Sequence, residues 1–265
     1  MNQELTVIGV ITAGWSPKED DPLTEYTQGK SKALISIAGK PMIAHVIDAL
    51  AGSRYVQRSV IVGLDPNAKI AFSMPVDLVP DTGSLIGNVE TGLLHAMEHY
   101  PAMNGALLSG SDVPTITPAI VDAFIDTCLR TDHDVYYSII EQSVMEARFP
   151  NSRRSYVRLK DGNFAGGDLM YFRKSTNLGD RELWDRLANS RKHPLRQVAV
   201  LGLWPLLKLV TGRLSLAEAE ERACKIIKMR GHAIPFPYAE VGMDVDKPHQ
   251  LEIVRAELEA QAAGN

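Results

Sequence analysis

The segment GALLSGSDVPTITPAIVDAF, residues 105–124, predicts a buried strand, an acidic turn and the start of a helix. The apolar run ends at Leu108, small residues follow, and Asp112 is the first charged side chain. Thr117 and Pro118 are typical of the cap and the first position of a helix. Because a strand, a loop and a helix in this order form the unit of parallel sheets, we predict an α/β fold. Asp112 then lies at the carboxyl end of a buried strand.

Strand-like and helix-like patterns alternate along the rest of the chain. Predicted strands cover residues 5–12, 59–63 and 134–140, and predicted helices cover residues 42–50 and 89–99. This alternation predicts a three-layer α/β/α, Rossmann-like arrangement around a mainly parallel sheet. Residues 146–172 loosen into short strands and turns, which predicts a small antiparallel insertion.

The remaining sequence completes one domain. Two helices are predicted next, the second opened by a capping box from Ser215 to Glu218. A short strand and a terminal helix through Ala256 follow. Because we find no internal repeat and no low-complexity linker, we predict a single domain over residues 1–265.

The composition is that of an ordinary soluble globular protein. Its 265 residues are 45% hydrophobic, which is enough for a sizeable core, and its formal net charge is −4. This charge argues against nucleic acid as a partner. The N-terminus lacks the pattern of a signal peptide, and the two cysteines lie far apart in helical patterns typical of reduced core thiols. We therefore expect a cytoplasmic protein.

One apolar stretch, LRQVAVLGLWPLLKLV at residues 195–210, is a candidate for membrane contact. Arg196, Pro205 and Lys208 interrupt it. A membrane-spanning helix needs about 20 predominantly apolar residues, so we predict a buried or interface helix and no membrane span. The same stretch is a candidate surface for a homodimer.

The loop after the first strand has the composition of a phosphate-binding loop. Ligands of parallel sheets bind at the carboxyl ends of the strands, and small residues there let backbone N–H groups approach a phosphate. Three lysines of the loop can add positive charge for a polyphosphate. The candidate residues are Thr12, Ala13, Gly14, Lys18, Lys30 and Lys32. Neither the dinucleotide fingerprint G-x-G-x-x-G nor the P-loop G-x-x-x-x-G-K-[ST] is present.

A second acidic turn contains Asp244 and Asp246. In an extended segment residues two apart share a face, so both carboxylates could point into one cleft. Asp246 has an alternative role as the cap of the terminal helix, because it precedes Lys247 and Pro248.

Several segments, in this order, resemble a known family. They are Ala13-Gly14 with Ser31-Lys32-Ala33-Leu34 and Gly39-Lys40-Pro41-Met42-Ile43, then SDVPTITP (111–118), GGDLMYF (166–172) and GMDVDKPHQL (242–251). They resemble the nucleotidyltransferases that share the glycosyltransferase-A-like fold, a group containing molybdenum-cofactor guanylyltransferases and sugar-phosphate nucleotidyltransferases. The resemblance spans residues 5–258, with residues 175–230 least covered.

The resemblance implies a nucleotide-binding part at residues 1–130 and an acceptor-side part at residues 131–265. Gly14 and its neighbours would hold the nucleotide's phosphates, and Lys32 would stabilise charge on the α-phosphate as pyrophosphate leaves. The implied Mg²⁺ ligands are Asp112, Asp244 and Asp246. Gly87 and Asn88 would read the nucleobase, whereas Gly166, Gly167 and Asp168 would contact the acceptor.

The chain departs from the family's common pattern in the phosphate loop. Trp15 stands where a second glycine is frequent, and no arginine lies between Gly14 and Lys32. Lys18 or Lys30 could substitute, although a lysine lacks the bidentate fork of arginine.

Other candidates have structural alternatives. Asparagine is favoured as a helix cap, so Asn88 could cap the second helix instead of reading a base. The glycines before Asp168 could form a hairpin with an acidic tip. Three clustered arginines could bind a phosphorylated acceptor, or they could form a solvated face or an oligomer contact; these are Arg153, Arg154 and Arg158.

We predict a magnesium-dependent nucleotidyltransferase in which a small acceptor with a phosphate or hydroxyl group attacks the α-phosphate of a nucleoside triphosphate and releases pyrophosphate. Lys32, Asp112 and Asp244 carry this reaction. One alternative is a glycosyltransferase of the same fold that uses a nucleotide sugar; it would need a second acid beside Asp112, which Ser111-Asp112-Val113-Pro114 lacks. Another is a non-catalytic nucleotide-binding or regulatory protein, suggested by the missing arginine.

Overall fold

The structure, a computed structural model, describes residues 5–15, 21–176, 208 and 211–263. Lys18 and nearly all of the apolar stretch 195–210 lie outside the described residues. The predictions of a phosphate contact for Lys18 and of a homodimer surface on this stretch therefore stay predictions.

Ten strands occur in the described part of the chain. They are β1 Val7–Thr12, β2 Ser36–Ile37, β3 Lys40–Pro41, β4 Val56–Val62, β5 Val76–Val79, β6 Gly105–Gly110, β7 Val135–Glu141, β8 Val157–Leu159, β9 Gly162–Arg173 and β10 Gly231–Pro235.

Eight of these strands form one sheet in the order β10-β7-β9-β6-β1-β4-β5, with β8 paired to β9. β1 is parallel to β4 and β6, β4 to β5, and β7 to β10. β9 is antiparallel to β6, β7 and β8. β2 and β3 form a separate antiparallel pair. The predicted α/β fold with a mainly parallel sheet is confirmed, and the antiparallel segment contributes β9 to the centre of that sheet.

Seven α-helices and two short 3₁₀ helices connect these strands in the described residues. The α-helices are α1 Thr24–Thr27, α2 Met42–Ala51, α3 Leu85–His99, α4 Pro118–Cys128, α5 Gln142–Arg148, α6 Leu216–Ile227 and α7 Pro248–Ala263. The 3₁₀ helices are Lys32–Leu34 and Ala239–Gly242.

Two predicted helix starts are confirmed. The side chain of Thr117 accepts a hydrogen bond from the N–H of Ile120, and Pro118 begins α4. Ser215 and Glu218 make both hydrogen bonds of the predicted capping box at α6. Each cap satisfies backbone donors that the first turn of a helix leaves unpaired.

The central strand β1 is buried on both faces. Val7 and Ile11 belong to the core cluster that contains α2 and α4, whereas Ile8 and Val10 belong to the cluster on the side of α3. Successive side chains of a strand point to opposite faces, so an uninterrupted apolar strand requires helices on both sides. Burying each such side chain stabilises the fold by about 1.5–3 kcal/mol. This pattern produces the three layers and leaves the strand ends for the loops.

No described helix combines the length and the apolar character that a membrane span requires. Both cysteines are free thiols that form no disulfide. Cys128 is buried and Cys224 is half-buried.

Candidate active site

A polar cleft of about 420 Å³ lies at the carboxyl ends of β1 and β6. The N-terminus of α3 and the turn before α7 complete its walls. Of the predicted site residues, the cleft brings together Thr12, Gly14, Lys32, Asn88, Asp112, Asp168, Asp244 and Asp246. This is the position where parallel α/β sheets bind ligands.

The two acidic turns are joined by their backbones. The N–H of Val245 donates to the carbonyl of Asp112 at 2.9 Å, and the N–H of Ser111 donates to the carbonyl of Thr12 at 3.2 Å. Gly110 leaves room for the carboxylate of Asp112, since a Cβ on Gly110 would lie 2.4 Å from its Oδ1. These contacts place the carboxylates of both turns in one cleft.

Lys32 joins the two turns electrostatically. Its Nζ lies 2.6 Å from Asp112 Oδ2 and 2.5 Å from Asp246 Oδ1. Burial by itself would lower the pKa of Lys32, but the two carboxylates outweigh it and hold that pKa well above its ordinary value. The side chain is therefore a fixed positive charge. The carboxylate of Asp246, which the sequence also offered as a cap of the terminal helix, forms an ion pair with Lys32.

Asp244 is paired with a different cation. The guanidinium Nη1 of Arg154 contacts Asp244 Oδ1, and the two side chains are only 16% and 13% exposed. Burial raises the pKa of Asp244 to about 7; Arg154 opposes this shift and the nearby charge of Asp112 adds to it. Asp244 is thus a buried carboxylate whose charge depends on a cation beside it.

Asp168, on β9, faces the same group of acids. Burial raises its pKa well above the ordinary value, and the charges of Asp112 and Asp244 raise it further. Asp168 makes no ion pair with any described residue. Its β9 neighbours pair with β6 and β7, which fixes it between the two halves of the sheet.

The acids fit a divalent metal that arrives with a substrate. Within the described residues, no three His, Cys, Asp or Glu side chains are grouped closely enough to hold a metal by themselves. Mg²⁺, however, is usually bound by one or two carboxylates together with substrate phosphates. Asp112 and Asp244 offer such a pair, and buried Asp244 Oδ1 has no hydrogen-bond partner apart from its contact with Arg154.

The loop after β1 packs tightly against the loop before α3. The carboxylate of Asp81 accepts hydrogen bonds from the backbone N–H of Trp15 at 3.3 Å and from that of Gly83 at 2.9 Å. A Cβ on Gly14 would lie 2.3 Å from Asn88 Nδ2 and 3.0 Å from the carboxylate of Asp81. Only glycine fits at position 14 without displacing these groups.

Asn88 supports this arrangement from α3. Ser84 caps α3 and accepts from the N–H of Gly87, so the alternative prediction that Asn88 caps the helix is wrong. Asn88 is buried; its Oδ1 accepts from the N–H and the hydroxyl of Thr82, and its Nδ2 donates to Asp81. Its amide is therefore largely committed to the loop at residues 81–84.

Four other predicted residues lie outside the cleft lining. Ala13 is buried and donates its N–H to the carbonyl of Val62. Gly87 packs against Thr82, because a Cβ on Gly87 would lie 2.4 Å from Thr82 Oγ1.

The two glycines predicted to contact the acceptor lie where neighbouring strands approach closely. A Cβ on Gly166 would lie 2.2 Å from the Tyr137 hydroxyl oxygen, and one on Gly167 would lie 2.4 Å from Ser138 Oγ.

Two further cavities adjoin the polar cleft. One, of about 590 Å³, shares Trp15 and Asp81 with the cleft and contains Lys30, the fifth predicted residue that is not in the cleft lining. The other, of about 470 Å³, shares Asp168 with the cleft, contains Gly167, and is otherwise lined mainly by apolar side chains.

Sequence reasoning missed Asp81 and did not distinguish Arg154 from its neighbours. Asp81 stands directly before the Thr-Gly-Ser that leads into α3, and this turn composition is the signal that could have identified it. Of the three clustered arginines, Arg154 is half-buried and contacts Asp244 at the edge of the cleft, whereas Arg153 and Arg158 are exposed. No local pattern separates the three.

Comparisons with known proteins identify relatives of this chain. A probable molybdenum cofactor guanylyltransferase from Pyrococcus horikoshii is 29% identical over 97 residues, which are 37% of this chain and 47% of that protein. The match thus spans about half the length of that relative. A hypothetical transferase from Thermus thermophilus is 33% identical, with a TM-score of 0.79 over 93% of this chain and 100% of the other.

A structure of Rv0371c from Mycobacterium tuberculosis H37Rv in complex with manganese shares the fold. It is 13% identical, with a TM-score of 0.50 over 96% of this chain and 100% of the other. The family model of the MobA-like NTP transferase domain matches residues 27–222 of this sequence. This chain therefore belongs to the family of MobA-like NTP transferase domains.

Proposed function

We propose that this protein is a metal-dependent nucleotidyltransferase that moves a nucleoside monophosphate group from a nucleoside triphosphate to a small acceptor and releases pyrophosphate. The observation that carries the proposal is the position of Lys32, a protonated lysine held between carboxylates from two turns of one cleft. Nucleotidyl transfer depends mainly on positioning the substrates and on neutralising phosphate oxygens.

In this proposal Lys32 neutralises charge on the α-phosphate. Its raised pKa keeps the ammonium group charged throughout the physiological pH range. Asp246 holds Nζ in the cleft from the α7 side, and Asp112 holds it from the β6 side. A preorganised cation of this kind lowers the barrier because it need not be reoriented as charge develops.

Asp112 and Asp244 would hold the metal, which we propose to be Mg²⁺. When bound, the metal would neutralise phosphate charge and fix the triphosphate in position. A divalent cation is also suggested by the structure of the same fold that is described as a complex with manganese. The backbone tie from Val245 to Asp112 keeps the two carboxylates in a common orientation.

The nucleotide would extend from the polar cleft into the cavity of about 590 Å³. Trp15 and Asp81 line both spaces, so a triphosphate beside Gly14 leaves the base on the side of Lys30. The buried amide of Asn88 would then act by shaping the phosphate loop. Because the Pyrococcus horikoshii relative is described as a guanylyltransferase, GTP is the first nucleotide to test.

The acceptor would enter from the side of β9. Asp168 lines both the cleft and the cavity of about 470 Å³, and Gly167 lines that cavity. An acceptor phosphate or hydroxyl supplies the attacking oxygen, so the reaction requires no nucleophile from the protein.

The experiment is a pyrophosphate-release screen. Four nucleoside triphosphates are combined with a panel of sugar phosphates, polyol phosphates and cofactor precursors, with and without Mg²⁺. The proposal expects turnover that depends on the metal and that falls by about 10²-fold or more in Asp112→Asn. Two outcomes would refute the proposal. One is turnover that is equal with and without EDTA. The other is no turnover for any pair, together with wild-type nucleotide binding by Asp112→Ala.

A further inference from the structure

Arg154 differs from Arg153 and Arg158 because it packs against Asp244 at the edge of the cleft, although it does not line the cleft itself. Its side chain is 16% exposed and touches Asp244, whereas the side chain of its neighbour Arg153 is exposed. A buried cation beside a candidate metal ligand occupies the oxygen that a metal would use. Arg154 and a divalent cation are therefore competitors for Asp244.

The loop that carries Arg154 is anchored to α7. The carbonyl of Ser152 lies 3.1 Å from His249 Nε2 and accepts from Gln250 Nε2 at 3.4 Å, and Ser152 is almost fully buried. Arg153 then adopts a left-handed backbone conformation with φ of +50°, which is unfavourable for a residue with a Cβ. The anchor and this turn together direct Arg154 inward.

The guanidinium of Arg154 is only partly used. Its buried Nε has no hydrogen-bond partner among the described residues, although Nη1 contacts Asp244. A buried donor without a partner is costly, so such a group points to a ligand that completes it. Nε and a terminal nitrogen of one arginine form the fork that binds phosphate and carboxylate groups bidentately.

We propose that Arg154 is an exchangeable counter-ion: it holds Asp244 while the site lacks a metal, yields Asp244 to the divalent cation, and then binds an anionic phosphate or carboxylate group of the acceptor. This inference rests on the metal site of the proposed function. It specifies an acceptor that carries a negative charge, and it makes metal binding a condition for acceptor binding.

The first test measures Mn²⁺ binding to the nucleotide-free protein by electron paramagnetic resonance of the free ion. Removal of the competing cation in Arg154→Gln should tighten Mn²⁺ binding by about tenfold, because a unit charge within about 4 Å interacts strongly in a partly buried site. Arg153→Gln removes the same charge from the neighbouring exposed position and should leave the affinity unchanged. Arg154→Lys, which retains the cation, should lie between Arg154→Gln and the wild type.

The outcomes separate the inference from the proposed function. Damage to the fold would weaken Mn²⁺ binding, so the expected tightening cannot arise from misfolding. In one outcome Asp112→Asn weakens Mn²⁺ binding, but Arg154→Gln does not tighten Mn²⁺ binding. This outcome refutes the exchange of Arg154 for the metal, while the proposed metal site stands. If Asp112→Asn and Asp244→Asn leave Mn²⁺ binding unchanged, the proposed metal site itself fails.

The second test uses inorganic phosphate as the acceptor probe. Phosphate is titrated calorimetrically into Mn²⁺-loaded protein, with the nucleotide phosphate positions filled by a non-hydrolysable α,β-methylene nucleoside triphosphate. Arg154→Gln should weaken phosphate binding by about tenfold or more relative to Arg153→Gln. Equal affinities in the two variants would refute the acceptor role.

Discussion

At the scale of single residues, the proposed function predicts that replacement of Lys32 reduces activity most directly. Replacement by alanine removes the fixed charge that joins the two acidic turns, so we expect kcat to fall by about 10²–10³-fold. Lys225→Ala is the matched control, because this lysine is exposed on α6 and lies outside the polar cleft and both adjoining cavities. Pyrophosphate release under saturating substrate gives the comparison. A similar loss in both variants would contradict the specific role of Lys32.

Gly14 tests the tight packing of the loop after β1. A methyl group at this position meets Asn88 Nδ2 at 2.3 Å, so Gly14→Ala must displace the hydrogen bond from Asn88 to Asp81. We expect a destabilisation of about 1–3 kcal/mol in urea unfolding, together with weaker nucleotide binding. Gly231→Ala is the control, since its Cβ would make only ordinary contacts. Equal stabilities of the two variants would show that the loop relaxes freely.

Asp168 tests the electrostatics of the acid cluster. Burial, with the charges of Asp112 and Asp244, raises its pKa in the folded protein above the ordinary value of about 3.9. Between these two values the folded state binds the proton more often than the unfolded chain does. The free energy of unfolding therefore decreases as the pH rises through this window.

Asp168→Asn should remove this decrease. We expect the metal-free variant to be more stable than the wild type by on the order of 1–3 kcal/mol at pH 8, with a difference that fades toward pH 4. Urea unfolding in EDTA at both pH values measures the effect. A stability difference that is independent of pH would mean that Asp168 ionises as easily in the fold as in the unfolded chain.

At the scale of elements, α6 depends on its cap. Its twelve residues include no fully buried side chain, so the capping box from Ser215 to Glu218 is a large part of what fixes its first turn. Ser215→Ala should cost about 1 kcal/mol and increase hydrogen exchange mainly within α6. Thr117→Ala at α4 is the comparison, because α4 buries five residues against the core and should remain protected. A similar increase in hydrogen exchange for α6 in Ser215→Ala and for α4 in Thr117→Ala would contradict this difference between the two caps.

Elements with a strong periodic pattern were predicted well, whereas short ones depended on their neighbours. The continuous apolar run of β1 and the cap of α4 identified both elements from local sequence alone. The strand β5, Val76–Val79, was not predicted, because four residues are too few to form a recognisable pattern. Only its pairing with β4 defines it as a strand. β9 was predicted as part of an insertion, because no local signal indicates that a twelve-residue strand will enter between β6 and β7.

At the scale of the whole molecule, the two thiols report the compactness of the core. Cys128 is buried, and burial raises the pKa of its thiol far above the ordinary value despite the opposing charge of Arg173. Cys224 is half-buried at the C-terminal part of α6. The native protein should therefore react at one thiol with 5,5′-dithiobis(2-nitrobenzoic acid) at pH 8, and at the second only with the rate of global opening.

Cys224→Ser provides the assignment for this experiment. The fast phase should disappear in this variant, and the slow phase should remain and become fast in denaturant. Rapid reaction of Cys128 in the native protein would contradict a closed core between α4 and the sheet.

The sequence by itself determined the α/β class and the acids at the ends of strands, because these features depend on local periodicity and on turn chemistry. Lys32 was singled out among the lysines of the loop after the first strand by the family resemblance. Only the tertiary structure decided which charges meet. Lys32 pairs with Asp246 across 214 positions, and Arg154, rather than its neighbours Arg153 and Arg158, reaches Asp244. Such contacts depend on strand order, on one anchored loop and on one left-handed residue, and their energies arise from burial and distance, which no local stretch of sequence specifies.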